Sequence, residues 1–187
     1  YEIPKGRIFY MADKLCDLKS LSYEQLSQFV TETLGESQYR AQQIYSWLHK
    51  GVRCFDEMSN LSKALREKLS KISYISVPII EKRLVSALDG TVKYLWKLSD
   101  SSCIESVFMS HRHGDSLCIS TQVGCRMGCG FCASTLGGLA RNLTAGEILD
   151  QVLFSEKDMG RRPSSIVLMG IGEPLDNYEN VLLFLRN

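Results

Sequence analysis

The chain has 187 residues, of which 44% are hydrophobic, and its 22 lysines and arginines nearly balance its 21 aspartates and glutamates, for a formal net charge of +1. This length allows one domain or two small ones with buried cores, and the charge balance excludes a polycation, so that any nucleic-acid surface must be a local basic patch. No run approaches the roughly 18 apolar residues of a membrane span, and no signal-peptide core is visible. We therefore expect a cytoplasmic protein without membrane contact. Met11 could be the native start behind an added leader.

Residues 17–72 have the pattern of a small helical domain. Ser22 and Gln25 form a capping box ahead of a first apolar stripe. A second stripe runs through Ala41, Ile44 and Leu48, and a third helix spans the leucines before Ile72. Apolar residues at this period indicate core-facing helix surfaces. The outward-facing basic residues are candidates for contacts with phosphates, although charged faces of surface helices are usually only solvated: Lys63, Arg66 and Lys68.

Residues 75–115 change to a period of two, which predicts a short antiparallel β segment. Asp89-Gly90 is a strong hairpin turn, and Val92, Tyr94 and Trp96 alternate with more polar residues in the strand that follows. A further strand is predicted over Cys103–Met109. This segment joins the helical domain to the rest of the chain.

Residues 116–187 alternate between strand, loop and helix. Strands are predicted over 117–121 and 164–169, and the helix between them begins at a second capping box, Thr144 with Glu147. Asp176 or Asn177 is expected to cap the last helix. Such alternation predicts parallel strands with right-handed crossovers, with ligands bound beyond the carboxyl ends of the strands.

The loop after the first of these strands carries three cysteines in the spacing CxxxCxxC: Cys125, Cys129 and Cys132. Three thiolates suit a four-iron four-sulfur cluster with one open iron, whereas structural zinc normally has four protein ligands. An open iron can bind S-adenosylmethionine and pass it an electron. The second loop, Gly170–Pro174, lies at the same end of the sheet. Gly172 and Glu173 could hold the ammonium group of that cofactor there, although this loop alone is a weak signal.

The cysteine motif, the Arg141–Thr144 run and the sequence GIGEPL together resemble the radical S-adenosylmethionine (radical SAM) adenosine methyltransferases of RNA, and among them the RlmN-type enzymes most. The resemblance covers nearly the whole chain. It implies an α/β fold, with the first part of a radical SAM (β/α) barrel preceded by a helical accessory domain of RNA-binding type and the β segment. It also implies methylation of adenine carbon 2 in 23S ribosomal RNA and transfer RNA, with a 4Fe-4S cluster and two S-adenosylmethionine molecules.

The same resemblance implies roles for individual residues. Cys125, Cys129 and Cys132 would hold the cluster, and Gly172 with Glu173 would contact S-adenosylmethionine. Cys118 matches a cysteine that helps to remove a proton from the methylated base and forms a transient disulfide. Glu105 matches a candidate proton acceptor. By themselves, Cys118 would be read as a small buried residue and Glu105 as a solvent-facing acid.

The family carries a further catalytic cysteine, which takes a methyl group from the first S-adenosylmethionine, and this residue has no counterpart here. We therefore expect an N-terminal part of the enzyme with a truncated barrel, inactive by itself. The expected partners are ribosomal RNA, transfer RNA and an external electron donor, and we expect a monomer. Two alternatives remain open: a Cfr-like enzyme that methylates adenine carbon 8, and a non-catalytic zinc-dependent RNA-binding module in which Cys118 is the fourth ligand.

Overall fold

The computed structural model describes residues 15–187. Met11, the expected start, lies outside this range. The described chain begins with the short strand β1 (Cys16–Asp17) and a 3-10 turn at Leu18–Ser20. Three helices follow: α1 (Tyr23–Gln28), which a π-helical turn at Phe29–Thr33 continues, α2 (Gln38–His49) and α3 (Lys63–Ile72). A 3-10 turn at Phe55–Glu57 precedes α3, and β2 (Ser73–Tyr74) follows it and pairs with β1 in parallel.

The limits of these helices follow from local chemistry. The hydroxyl of Ser22 accepts the Gln25 N–H and the Gln25 side chain accepts the Ser22 N–H, which confirms the predicted capping box. Gly35 and Gly51, each with a left-handed φ, follow the first two helices and end them. The apolar stripes pack together in one core, whose largest fully buried members are Leu18, Leu26, Phe29, Ile44, Leu48, Met58 and Leu69.

The remaining chain is built on one five-stranded sheet. Its strands are β3 (Ile79–Val85), β4 (Val92–Lys97), β5 (Cys103–His111), β6 (Gly114–Cys118) and β9 (Ser165–Val167), and they lie in the order β3-β4-β5-β6-β9. The first three pairings are antiparallel, and β9 adds to β6 in parallel. The β segment and the first barrel strands therefore share one sheet, and β6 begins three residues earlier than predicted.

Two helices follow the strands of the parallel pair: α4 (Ala145–Met159) and α5 (Tyr178–Arg186). The Thr144–Glu147 capping box of α4 is confirmed. α4 covers the sheet face that carries Tyr94, Trp96 and Phe108, and a second core forms there, which confirms the predicted alternation in β4.

Asn177 precedes α5, but its side chain makes no capping bond, so the expected cap was wrong. A 3-10 turn at Pro174–Asn177 leads into α5 instead, and the carboxylate of Glu173 caps that turn. The amide of Asn177 donates to the carbonyl oxygens of Thr121 and Leu143, both at 2.8 Å. The Asn177 side chain is buried, and its amide group bonds to these two carbonyl oxygens instead of capping α5.

The predicted fold class is confirmed as mixed α/β, and within residues 15–187 the sheet does not close into a barrel. The boundaries 17–72, 75–115 and 116–187 stay a prediction. In the same range, no helix combines the length and hydrophobicity needed to cross a membrane.

Candidate functional site

The cysteine loop is held at its base by a hairpin that the sequence did not predict. The hairpin strands are β7 (Gln122–Gly124) and β8 (Leu139–Asn142), which pair antiparallel on either side of the loop. The Cys125 N–H donates to the Gly138 carbonyl at 3.0 Å. Gly124 has φ +73°, and a Cβ there would lie 2.0 Å from the Gly138 oxygen. The loop therefore leaves the sheet at a fixed point that only glycine allows.

The three cysteines of this loop differ in exposure. Cys125 is 6% exposed, Cys132 is half-buried, and Cys129 is exposed. All three are free thiols, so the donor set suits a cluster with one open iron in kind and number. In residues 15–187, however, no three His, Cys, Asp or Glu side chains lie close enough together to hold a metal ion.

The outer half of the cysteine loop is loosely packed. The Phe131 side chain is 96% exposed, and a Cβ at Gly128 or Gly130 would meet nothing within 4 Å. Between the cysteines, the Cys132 N–H donates to the Cys129 carbonyl at 3.0 Å. The loop thus has a base held by backbone hydrogen bonds and a tip with few packing contacts.

The Gly170–Pro174 loop lies against the same hairpin. Gln122, three residues before Cys125, accepts the Glu173 N–H on its side-chain oxygen at 2.9 Å. Its amide group donates to Asn142 and Asp176 at 2.8 and 2.9 Å. A Cβ at Gly172, whose φ is +107°, would lie 2.6 Å from the Gln122 Cβ. Gln122 therefore joins the two special loops at the carboxyl ends of β6 and β9.

The carboxylate of Glu173 already has one local partner. Its Oε1 accepts the Leu175 N–H at 3.1 Å, which caps the 3-10 turn that follows. The second oxygen has no hydrogen bond among the contacts described. The side chain is therefore oriented by the backbone of its own turn, with one oxygen left for a cationic group.

Glu105 and Cys118 lie on one face of the sheet, opposite the face that α4 covers. Val107 is the cross-strand neighbour of Cys118, and Glu105 is the next residue along β5 on the same face. Such diagonal neighbours lie about 7–8 Å apart. The Lys93 ammonium group holds the Glu105 carboxylate at 2.9 Å. Burial raises the pKa of the Cys118 thiol, and a hydrogen bond from the Met169 backbone opposes this.

The Arg141–Thr144 run fixes the hairpin to α4. The Arg141 guanidinium makes a two-point ion pair with Glu147 at 2.7 and 2.8 Å and a third contact with Asp100 at 2.7 Å. This contact lowers the pKa of Asp100 to about 2. In the sequence, the Arg141–Thr144 run was only part of the family resemblance. The structure shows that Arg141 also has a structural role, because its planar guanidinium binds two carboxylates at once.

A buried amide supports the site from below and was missed by sequence reasoning. Gln151 of α4 accepts hydrogen bonds from the Ser106 hydroxyl and the Ser120 N–H, and it donates to the Ser120 carbonyl, each at 2.8 Å. Gln151 and both serines are buried. The signal available in the sequence was a glutamine on the apolar face of α4. A helical pattern shows that this residue departs from the apolar stripe but does not show which groups it contacts.

The basic residues proposed for phosphate contacts already have acidic partners. Lys63 pairs with Glu67, Arg66 with Asp56 and Lys68 with Glu36, at 3.9, 3.6 and 3.7 Å. Exposed pairs of this kind contribute little free energy. Because such pairs exchange partners easily, all three residues stay candidates for contacts with RNA phosphates.

Comparison with known proteins relates this geometry to a family. Residues 16–75 match the family model of the ribosomal RNA large subunit methyltransferase N-terminal domain, RlmN. A probable dual-specificity RNA methyltransferase RlmN from Alkaliphilus oremlandii is 54% identical over 91% of this chain and 49% of its own length. The corresponding protein of Clostridium botulinum strain Alaska E43 is 56% identical over 87% of this chain and 47% of its own.

A solved structure is also similar. The crystal structure of a radical SAM methyltransferase from Sphaerobacter thermophilus superposes with a TM-score of 0.81 at 35% identity, and the match covers 91% of this chain and 51% of that one. The resemblance predicted from the sequence is thereby confirmed. The chain spans about half the length of the curated relatives it matches.

Proposed function

We propose that this RlmN-type chain is part of a radical SAM enzyme that methylates carbon 2 of adenine in ribosomal and transfer RNA. The relatives are named as dual-specificity RNA methyltransferases, and the similar solved structure as a radical SAM methyltransferase. The position of the methyl group and the cofactors go beyond those names. We expect the enzyme to act in the cytoplasm as a monomer, with an external electron donor.

The observation that supports this proposal most is the joining of the two loops by Gln122 at one end of the parallel pair. In that arrangement Cys125, Cys129 and Cys132 would hold a 4Fe-4S cluster, and Gly172 with Glu173 would orient S-adenosylmethionine. When bound, the cluster would supply the electron that cleaves S-adenosylmethionine.

Glu105 and Cys118 would act on protons at the substrate base. A carboxylate can accept the proton that the methylated carbon loses, and Lys93 holds this carboxylate in place at 2.9 Å. The Cys118 thiol lies half-buried on the same face, where burial keeps it protonated until a base or an electrophile reaches it. We propose that the Cys118 thiolate then forms a transient disulfide with the sulfur of the methyl-carrying cysteine. The S–S bond forms as the bond from that sulfur to the transferred carbon breaks, the electron pair passes to the carbon, and a proton there completes the methyl group of the released RNA.

The helical part, 17–72, is proposed as the accessory domain that contacts RNA, ahead of the β segment, 75–115, and the barrel part, 116–187. The residues that the family uses to carry the methyl group lie outside this sequence. The 187-residue chain by itself is therefore expected to give no methylated RNA. Methylated product from the purified chain would contradict this.

The experiment that tests the proposal begins with anaerobic measurement of iron, sulfide and zinc, and with electron paramagnetic resonance of the reduced protein with and without S-adenosylmethionine. About four irons per chain and a spectrum changed by S-adenosylmethionine are expected. Cys132→Ala should lose this signal, and Cys54→Ala, an exposed thiol elsewhere, should retain it. Stoichiometric zinc that iron does not replace would overturn the proposal.

The position of the methyl group is tested separately on the complete protein. Its reaction with ribosomal RNA and transfer RNA should place the methyl group on adenine carbon 2 in both. A product methylated on carbon 8 would identify the sister chemistry instead, and no methylation of either RNA would remove the proposed substrates.

A further inference from the structure

A shallow cleft lies on the outer face of α2, far along the chain from the cysteine loop. Its volume is about 300 Å³. Tyr39, Gln43 and Trp47 repeat every four residues and therefore project from one side of the helix, and Lys50 continues that side. Asn60, from the segment before α3, closes the cleft. The apolar stripe on the other side of α2 is buried in the first core.

The polar groups of the cleft are turned so that they present donors. Arg40 donates to the Gln43 side-chain oxygen at 2.7 Å, and the Trp47 indole N–H donates to the Asn60 side-chain oxygen. A guanidinium and an indole N–H can only donate, so each amide directs its oxygen to them and keeps its NH2 group for a ligand. Among residues 15–187, no acidic side chain lines the cleft. It therefore suits a ligand rich in hydrogen-bond acceptors and negative charge.

Two aromatic rings accompany these donors. Tyr39 is 63% exposed, so most of its ring is open to a ligand. The Lys50 ammonium group lies 4.8 Å from the centre of the Trp47 ring. Tyr39 and Lys50 lie eleven residues apart, about 16 Å along the helix, so the ring and the cation suit successive nucleotides of an unpaired strand, the ring by stacking on a base and the cation by pairing with a phosphate.

We propose that this cleft, the α2 cleft, binds an unpaired segment of the RNA substrate, with one base stacked on Tyr39 and the phosphate of a neighbouring nucleotide held by Lys50. The inference rests on the proposed function, since it assigns part of the RNA contact to a defined place. The amide groups of Gln43 and Asn60 donate to acceptor atoms of the base or phosphate. The α2 cleft thus holds the RNA through the helical part of the chain.

The test measures the affinity of the full chain for an unpaired RNA oligonucleotide over a range of salt concentrations. Tyr39→Ala should weaken binding roughly 5- to 150-fold, the range that one lost base stack gives, and Tyr39→Phe should retain it. Lys50→Met should reduce the slope of log affinity against log salt by about 0.7, the value for one phosphate of a single strand. Lys71→Met removes an equal charge from α3 and should change the slope less.

Intrinsic fluorescence gives a second readout. Of the two tryptophans, Trp96 is fully buried, and Trp47 lines the α2 cleft. RNA should therefore change the emission of Trp47, and the change should vanish in Trp47→Phe. Thermal unfolding of Tyr39→Ala should match that of the parent chain, because Tyr39 is exposed.

The outcomes separate the inference from the function on which it rests. Unchanged RNA affinity in Tyr39→Ala, or equal losses in Lys50→Met and Lys71→Met, would overturn the inference even if the complete protein methylates RNA. The inference would also be overturned if duplex RNA bound as tightly as the unpaired strand and Tyr39→Ala weakened neither. Failure of the complete protein to methylate RNA would instead remove the proposed function.

Discussion

Lys19 and Asp150 form a buried ion pair that joins the helical part of the chain to α4. Their side chains are 0% and 1% exposed. Lys19 also donates to the Ser76 carbonyl at 2.7 Å, and the Ser76 hydroxyl donates to Asp150 at 2.8 Å. Burial raises the pKa of Asp150, while Lys19 and Ser76 lower it. Removing the cation therefore leaves a carboxylate in an apolar environment.

Lys19→Met keeps much of the side-chain length but removes the charge. Breaking one side of a buried pair costs about 3–5 kcal/mol of unfolding free energy. For a chain of this length, that corresponds to a fall of roughly 6–20 °C in Tm. The effect should be measured by urea unfolding, with the fluorescence of the buried Trp96 as the probe.

The cost should depend on pH with a definite sign. The folded pKa of Asp150 lies above its ordinary value of 3.8, at about 7, and losing Lys19 raises it further. A raised folded pKa contributes stability that is present below the unfolded pKa and is lost as pH rises through the folded pKa. The deficit of Lys19→Met should therefore be largest at about pH 9 and smaller at about pH 5, where Asp150 takes up a proton.

Two controls sharpen the result. Lys63→Met removes a lysine whose pair is 84% and 61% exposed, and it should change stability by less than about 0.5 kcal/mol. Lys19→Met combined with Asp150→Leu removes both charges and should recover most of the loss. A cost below about 1 kcal/mol for Lys19→Met, or an equal cost at both pH values, would refute the reasoning.

Three further predictions concern the site. Gly124→Ala should destabilise the chain more than Gly128→Ala in thermal unfolding, since both have a left-handed φ but only Gly124 has a backbone oxygen at 2.0 Å from the added Cβ; equal losses would contradict this. Gln151→Leu removes the partner of three buried groups, the Ser106 hydroxyl and the N–H and carbonyl of Ser120, and should cost about 2–4 kcal/mol in urea unfolding, and a neutral effect would argue against the network. Cys118, with its raised pKa, should react with iodoacetamide more slowly than exposed Cys54 at about pH 8, as peptide mass spectrometry can check.

The sequence by itself determined the local elements of this chain. Ser22 with Gln25 and Thr144 with Glu147 marked two helix starts, because a capping box uses residues three positions apart. The alternation of Val92, Tyr94 and Trp96 identified the buried face of β4 for the same reason: the pattern is contained within one element. The cysteine spacing likewise predicts the kind of ligand set from residues within one loop, and this stays a prediction.

The tertiary structure alone decided which distant residues meet. Gln122 and Glu173 are far apart in sequence, and neither belongs to a pattern that predicts their contact. The same is true of Lys93 beside Glu105 and of Lys19 beside Asp150. A buried polar group needs a partner, but the sequence does not say which one, because strand register and helix packing select it only when the chain has folded.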